Sequence, residues 1–451
     1  MRRRVDTVRR VGLVLLVILL MASLVAICAA CGSEGGNDSE ATTSSEAVTP
    51  STTATSDAGS ATTAPATETS GAATEQKELA IGVLAGMSGS GSESMSRLVD
   101  GLKFAVEYIN GKGGITVGTT KYTIKPIIED YKMTMDGMVA ATNKLISSDK
   151  VSFAITLCAP PPFTSMASSL VEKNNASSDA KVLIEHCYAV GQSGGYEAAD
   201  IPYTFFTYMD WPGTQACLEQ FASTYPAVKT VAYISVEDPA SHDLAAAYDA
   251  VFAAKGVEQV GAEYYETGTT DYYPVLTKLL NAKPDSLLLG LGFPEWQGAI
   301  MKQARELGFA GPIVTPGGGS PPDVVLKVAG EKTTDYFSAA AYLDDPALPA
   351  TIGIIRDMAT AKGLPMVMDY VQGWDTICDL VQVIEAAQSV NPVDVKKAYE
   401  TIDSIDTAFG PAKMGGAEWY GINHAVARPF AFARIMDGKI TNLPVTTPVI
   451  P

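Results

Sequence analysis

Histidine is nearly absent from this chain of 451 residues, with three copies at His186, His242 and His424, and cysteine is little commoner, with six. The histidines are too scattered to suggest a metal triad, and no cysteine pair has a second pair at zinc-ligand spacing. Four cysteines, Cys158, Cys187, Cys217 and Cys378, fall in the long C-terminal part, too few for a disulfide scaffold of that size. The serine of "GGGSP" (317–321) lacks the G-x-S-x-G elbow, and no His or Asp stands in a recognisable pattern as its partner, which counts against a hydrolase. Basic residues are outnumbered too, 32 Lys and Arg against 50 Asp and Glu. Five of the Arg and one Asp lie in residues 1–30, which leaves a net charge of −22 on the rest. That excess argues against nucleic acid or an anionic membrane surface as a partner.

The N-terminus carries an export pattern. "MRRRVDTVRR" leads into "VGLVLLVILLMASLVAI", which carries no charge, and the chain then turns polar. The C-x-x-C of Cys28 and Cys31 closes this segment. A redox site of that spacing belongs beside a βαβ pattern, and a zinc site needs two more ligands; the stretch after Cys31 holds Ser, Thr, Ala, Gly and Glu instead. "CAAC" before Gly32 resembles the lipobox of bacterial lipoproteins, whose cysteine is diacylated and becomes the mature N-terminus. Cys31 fits that role behind Ala29 and Ala30, while Cys28 stands where the motif usually has Leu. An uncleaved signal anchor is the alternative, since the apolar run is nearly long enough to span a bilayer. Either reading puts the remainder outside the cytoplasm. From Ser33 to about Gln76 there is too little large apolar surface to offset the entropy of ordering, so this stretch reads as a flexible tether.

About 375 residues remain after the tether, more than one core comfortably holds, so two lobes are expected. Short apolar runs alternate with amphipathic stretches. "LAIGVLAG" (79–86) reads as a strand, and Leu98, Leu102, Ala105, Val106 and Ile109 recur at helical spacing until Gly111 to Gly114 end the helix. Strands at "YTIKPIIED", "VSFAITLC" and "KVLIEHC" alternate with further helices, and a second such run starts after "YTFFTYMDWPG" with a helix over 213–224 and the strand "TVAYISV". The pattern predicts two α/β lobes, each with a doubly wound parallel sheet.

"ELAIGVLAGMSGSGSESMSRLVDGLKFAVEYINGKGGI" resembles the opening of extracellular solute-binding lipoproteins of ABC transporters, in the branched-chain amino acid (Leu/Ile/Val)-binding family; "INGKGGI" is its most specific element. "DYYPVLTKLLNAKPDSLLLGLGFPEWQGAIMKQARELGFAGPIV", "DTAFGPAKM" and a late "DGKI" resemble later parts of the same family. The resemblance spans 79–440 and implies a type I periplasmic-binding fold, two lobes joined by three crossovers with the ligand held between them. After the 1–30 signal peptide and the 31–76 tether, it implies 79–208 plus 341–428 as lobe one and 209–340 plus 429–451 as lobe two. The implied partners are a small-molecule solute, an ABC permease and, through the lipid on Cys31, the membrane. No cofactor or metal, no nucleic acid and a monomeric state are expected. A sensor of the same fold reporting to a membrane partner is the alternative role, and a secreted hydrolase a weaker one.

Ligands of open α/β sheets bind beyond the carboxyl ends of strands, so the loops there are the candidate cleft walls. "GMSGSGSES" offers Ser88 and Ser90, or is merely a flexible loop. "CAPPPFTS" offers Pro160 and Phe163, the latter as a stacking surface or a core cover, and the resemblance puts Ala159 where amino-acid binders carry a serine for the ligand carboxylate. "EHCYAVGQSGG" offers Tyr188 and Ala189, with Val190 near the position of a threonine in amino-acid binders. Cys158 and Cys187 end neighbouring strands, so they form either a disulfide or two buried thiols. In the second lobe, Asp210 and Trp211 read either as ammonium partner and stacking ring or as helix cap and hinge packing. By the resemblance, Ser241 and His242 stand near a ligand-contacting tyrosine, Phe293 at an aromatic contact with Glu295 two residues on, and Gly317 where a glutamate pairs with the ligand ammonium. Ala159, Val190 and Gly317 thus depart from the amino-acid recognition set. The ligand expected is an aromatic or short aliphatic carboxylate, an amide or another small solute rather than a standard α-amino acid, unless Asp210, Glu185 or Glu295 replaces the missing acid.

Overall fold

Near-continuous apolar runs become strands buried on both faces, as parallel sheets require. The computed structural model describes residues 75–88, 92–157, 159, 161–187, 200–208, 210–317, 321–421 and 423–450. In the first lobe β1 (Glu75–Ala85) is followed by α1 (Ser92–Gly111), the hairpin β2 (Ile115–Val117) and β3 (Thr120–Asp130), α2 (Met135–Ser147), β4 (Phe153–Thr156), α3 (Pro161–Ser177), β5 (Leu183–His186) and β6 (Thr204–Phe206). Ile81 and Val83 of β1 face one core with α1, while Leu84 faces a second with α2 and α3. The α1 helix stops at Gly113 and Gly114, with φ of 98° and 78°, and the Gly114 amide donates back to the Ile109 carbonyl. Pro161 and Pro162 lie in the first turn of α3, where a missing N–H costs nothing.

The chain then enters the second lobe through α4 (Asp210–Thr224), which begins three residues before the helix expected at 213–224. Next come β7 (Thr230–Val236), α5 (Pro239–Ala254), β8 (Glu258–Tyr265), α6 (Tyr273–Leu280), β9 (Ser286–Leu289), α7 (Pro294–Glu306), β10 (Ile313–Thr315), α8 (Pro322–Ala329) and β11 (Tyr336–Ser338). The chain returns to the first lobe for α9 (Ala350–Ala361), α10 (Met368–Ala387), α11 (Pro392–Tyr399), β12 (Ile405–Thr407), β13 (Gly410–Gly415) and β14 (Ala425–Ala427), and crosses again to β15 (Ala433–Met436) and β16 (Lys439–Asn442). Segment 443–450, which the sequence-based division keeps with lobe two, leaves β16 and ends on the first sheet, where Ile450 packs with Ile201, Phe206, Ala425 and Ala427.

The first sheet runs β12-β13-β14-β6-β5-β4-β1-β3-β2 and the second β16-β15-β11-β10-β9-β7-β8. Both are parallel in their middle, with antiparallel strands added at the edges. This is the doubly wound, two-lobed architecture with three crossovers that the sequence predicts. The buried α10 lies against α1, with Gly101 and Gly373 set where a β-carbon would strike the facing helix's backbone.

Candidate functional site

Five residues, 428–432, carry the chain from the end of β14, which runs parallel to β6, to the start of β15, where Ala433 faces Ser338 at the end of β11. The carboxyl ends of the two sheets therefore border the same hinge. Each sheet has its switch point there: β4 and β3 flank β1 in the first, β9 and β8 flank β7 in the second. The loops after β1 and β4 and those after β7 and β9 are the walls that this topology assigns to a ligand.

On the first wall, Ser88 is exposed and donates its hydroxyl to Asp130 Oδ2 at 2.7 Å, while the Met87 and Lys132 amides donate to Asp130 Oδ1 at 2.9 and 2.8 Å. Partial burial opposes the charged form of Asp130, but these hydrogen bonds prevail and hold its carboxyl below the usual value. They also brace Lys132, which with Met133 has a φ in the left-handed region, 55° and 52°. Ala159 is 1 % exposed and sits in the same apolar cluster as Leu84 and Tyr131. Phe163 packs on that cluster, its ring 5.4 Å from that of Tyr131, so it covers core. Ser90, Cys158, Pro160, Tyr188, Ala189 and Val190, like Cys31, lie outside the described residues. Cys187 is buried one step past His186, level with Leu157.

On the second wall, Asp210 opens α4, and Trp211 stacks on Tyr248 at 6.2 Å in the lobe-two core, the hinge-packing role. Asp238 caps α5 by accepting from the Ser241 amide. Ser241 is buried against Ser235, whereas His242 stays half-exposed with Nε2 2.8 Å from Glu237 and its ring 3.9 Å from that of Tyr264. Phe293 is 64 % exposed and meets Trp296 edge-on at 4.9 Å; Trp296 in turn meets Tyr265 at 6.1 Å. Glu295 is exposed in the first turn of α7. Around Gly317 a β-carbon would find nothing within 4 Å, so this position looks onto open space. The structure thus gathers Phe293 and Trp296 into an aromatic wall and sends Trp211, Ala159 and Phe163 into core packing.

Sequence reading misses the charged cluster beneath the first wall. Arg428, which opens the third crossover, places Nη1 2.6 Å from Asp375 Oδ2, pairs also with Asp379, and donates from Nε to the Thr207 carbonyl at 2.9 Å. The Tyr208 ring lies under the guanidinium at 5.1 Å. Glu185 of β5 is fully buried nearby; burial first, then the negative charge of Asp379, push its carboxyl well above its usual range against the pull of Arg428. Burial likewise raises Asp379, to about 8, and lowers His186 and His424 to about 3, so both imidazoles are neutral. Glu185 therefore belongs to this cluster and does not replace a ligand-binding acid in the cleft. Only the run of acids in an otherwise apolar α10, Asp375 and Asp379 at helical spacing, signals the cluster in the sequence.

Comparison with known proteins agrees with this geometry. The chain is similar in structure to the branched-chain amino acid transporter substrate binding protein LivJ from Streptococcus pneumoniae in complex with isoleucine (18% identity, 82% of this chain and 100% of that one, TM-score 0.59). It is similar also to a solute binding protein of an ABC transporter from R. palustris in complex with benzoate (18%, 83% and 97%, 0.59). A third is the solute binding protein from Rhodopseudomonas palustris BisB5 in complex with 3,4-dihydroxy benzoic acid (17%, 82% and 98%, 0.60). No curated protein matches the sequence. A family profile described as periplasmic binding protein matches residues 78–439, and with both sheets, the three crossovers and the paired switch points in place, the chain belongs to the periplasmic binding protein family.

Proposed function

We propose that this protein captures a small aromatic or short aliphatic carboxylate, or a related amide, between its lobes and delivers it to the permease of an ABC importer. The observation that carries the ligand class is the second wall. Phe293 offers an exposed ring backed by Trp296, and Gly317 leaves open space where an amino-acid binder would need an anion for the ligand ammonium. Benzoate and 3,4-dihydroxy benzoic acid, the ligands of two structural relatives, are of this class, whereas a third relative holds isoleucine. Lobe closure would bury the solute, and tighter binding to the closed form is what links capture to handover. The lipobox resemblance supports a lipid on Cys31, which would keep the protein beside its permease outside the cytoplasm.

A thermal-shift series tests the ligand class, because a ligand that binds only the folded state raises the melting temperature. Benzoate, 4-hydroxybenzoate and benzamide are expected to stabilise the protein, and isoleucine and leucine are not. A strong shift with leucine alone would overturn the reading. Cys31→Ser tests the anchor separately: the variant should lose incorporation of labelled fatty acid and leave the membrane fraction.

A further inference from the structure

We propose that segment 443–450 is a fourth tie between the lobes, and that it governs their opening by holding Phe430 in a socket on α4. The two inner faces of the hinge meet at this ring. Phe430 packs on the core of the first lobe and on that of the second, edge-on to Tyr208 at 5.9 Å and parallel to Phe432 at 6.5 Å. Its tip fills the space over Gly213, where a β-carbon would lie 2.8 Å from Cζ. Any residue larger than glycine at 213 would push the ring out or lift α4 off the third crossover.

The segment fixes the backbone behind that ring. Leu443 donates to the Phe432 carbonyl at 2.8 Å, and Phe430 and Thr446 exchange two backbone hydrogen bonds of 2.8 Å each. The Thr446 hydroxyl reaches Gln220 Oε1 on α4 at 3.0 Å. Beyond it the segment attaches to the other lobe: Ile450 is 6 % exposed among first-lobe side chains, and its carbonyl accepts from the Gly416 amide at 3.3 Å. A stretch bonded at one end to α4 and buried at the other in the first sheet must slide or detach when the lobes separate. The three crossovers are covalent and cannot detach, whereas this non-covalent tie can, so its strength affects how freely they flex.

The test needs no ligand, so it stands apart from the reading of the cleft. Ile450→Asp unseats the distal anchor, Gly213→Ala closes the socket, and Val449→Asp, at a position 86 % exposed on the same segment, is the control. Hydrogen exchange and small-angle scattering are recorded on the unliganded protein. In Ile450→Asp, the Phe430 and Thr446 amides are expected to exchange at least about tenfold faster, with a larger radius of gyration. In Gly213→Ala the scattering curve shifts while the Gly416 amide, which donates to the Ile450 carbonyl, keeps its protection, and in the control neither changes. If Ile450→Asp does not fold, Ile450→Ala takes its place. Faster exchange with an unchanged scattering curve would make the segment a passive cover and overturn the proposal, as would an equal shift in the control.

Discussion

Arg428 and Asp375 meet at 2.6 Å with each side chain only 1 % exposed, and the guanidinium is shared with Asp379. One cation thus holds two acidic side chains where water cannot reach them. Arg428→Met would strand both acids, and a loss of about 3–5 kcal/mol is expected from urea unfolding. Adding Asp375→Asn and Asp379→Asn to that variant should recover much of the loss, since the stranded acids and not the missing volume cause it.

Glu185 and Asp379 give the protein a pH dependence of known sign. In the unfolded chain both carboxyls titrate near pH 4, whereas burial raises them in the fold, Asp379 to about 8. The folded state holds protons that the unfolded state has released, so their stabilisation is full at acid pH and declines as pH rises from about 4 toward 8. Glu185→Gln cannot lose such a proton. Its melting temperature should match that of the native sequence at pH 4 and exceed it at pH 8; a constant difference across this range would contradict the assignment.

Gly317→Glu would place an anion at a position of the second wall that looks onto open space. Open space at the β-carbon and a φ outside the left-handed region mean that the change should cost less than about 0.5 kcal/mol in stability. Isothermal titration should then show isoleucine binding gained or strengthened and benzoate binding weakened.

Phe293→Ala removes an exposed ring that meets Trp296 edge-on. The melting temperature should hardly move, while benzoate affinity falls about fivefold, in line with the loss of roughly 1 kcal/mol of ring contact. A fall of the same size for an aliphatic solute would show that Phe293 shapes the cleft without selecting aromatic rings.

Much of the fold is legible in the chain because parallel strands buried on both faces announce themselves. "TVAYISV" is β7 residue for residue, and the glycines after Asn110 mark where α1 stops. The edge strands β12 and β13 and the helices between Ala350 and Tyr399 are not legible in the same way. The α10 helix is buried nearly all round and carries acids inside its apolar run, which blurs the helical period. Its partner Arg428 lies 49 residues from Asp379 in sequence, and no local pattern connects them. The candidate site is legible only in part: Phe293, singled out in the sequence, is exposed in the fold, whereas Ala159 is buried in core and the packing of Trp211 on Tyr248 depends on a helix that sequence spacing does not pair with it.

The course of β1 has a practical consequence. The strand begins at Glu75 opposite Thr120 and ends at Ala85, beside the first wall, so its start lies about 35 Å away along the strand. Anything joined directly ahead of Glu75 enters at the end of an interior strand that is remote from the first wall. A bead, chip surface or fluorophore attached there would leave both jaws unobstructed, which suits the protein to use as an immobilised reporter of its own solute.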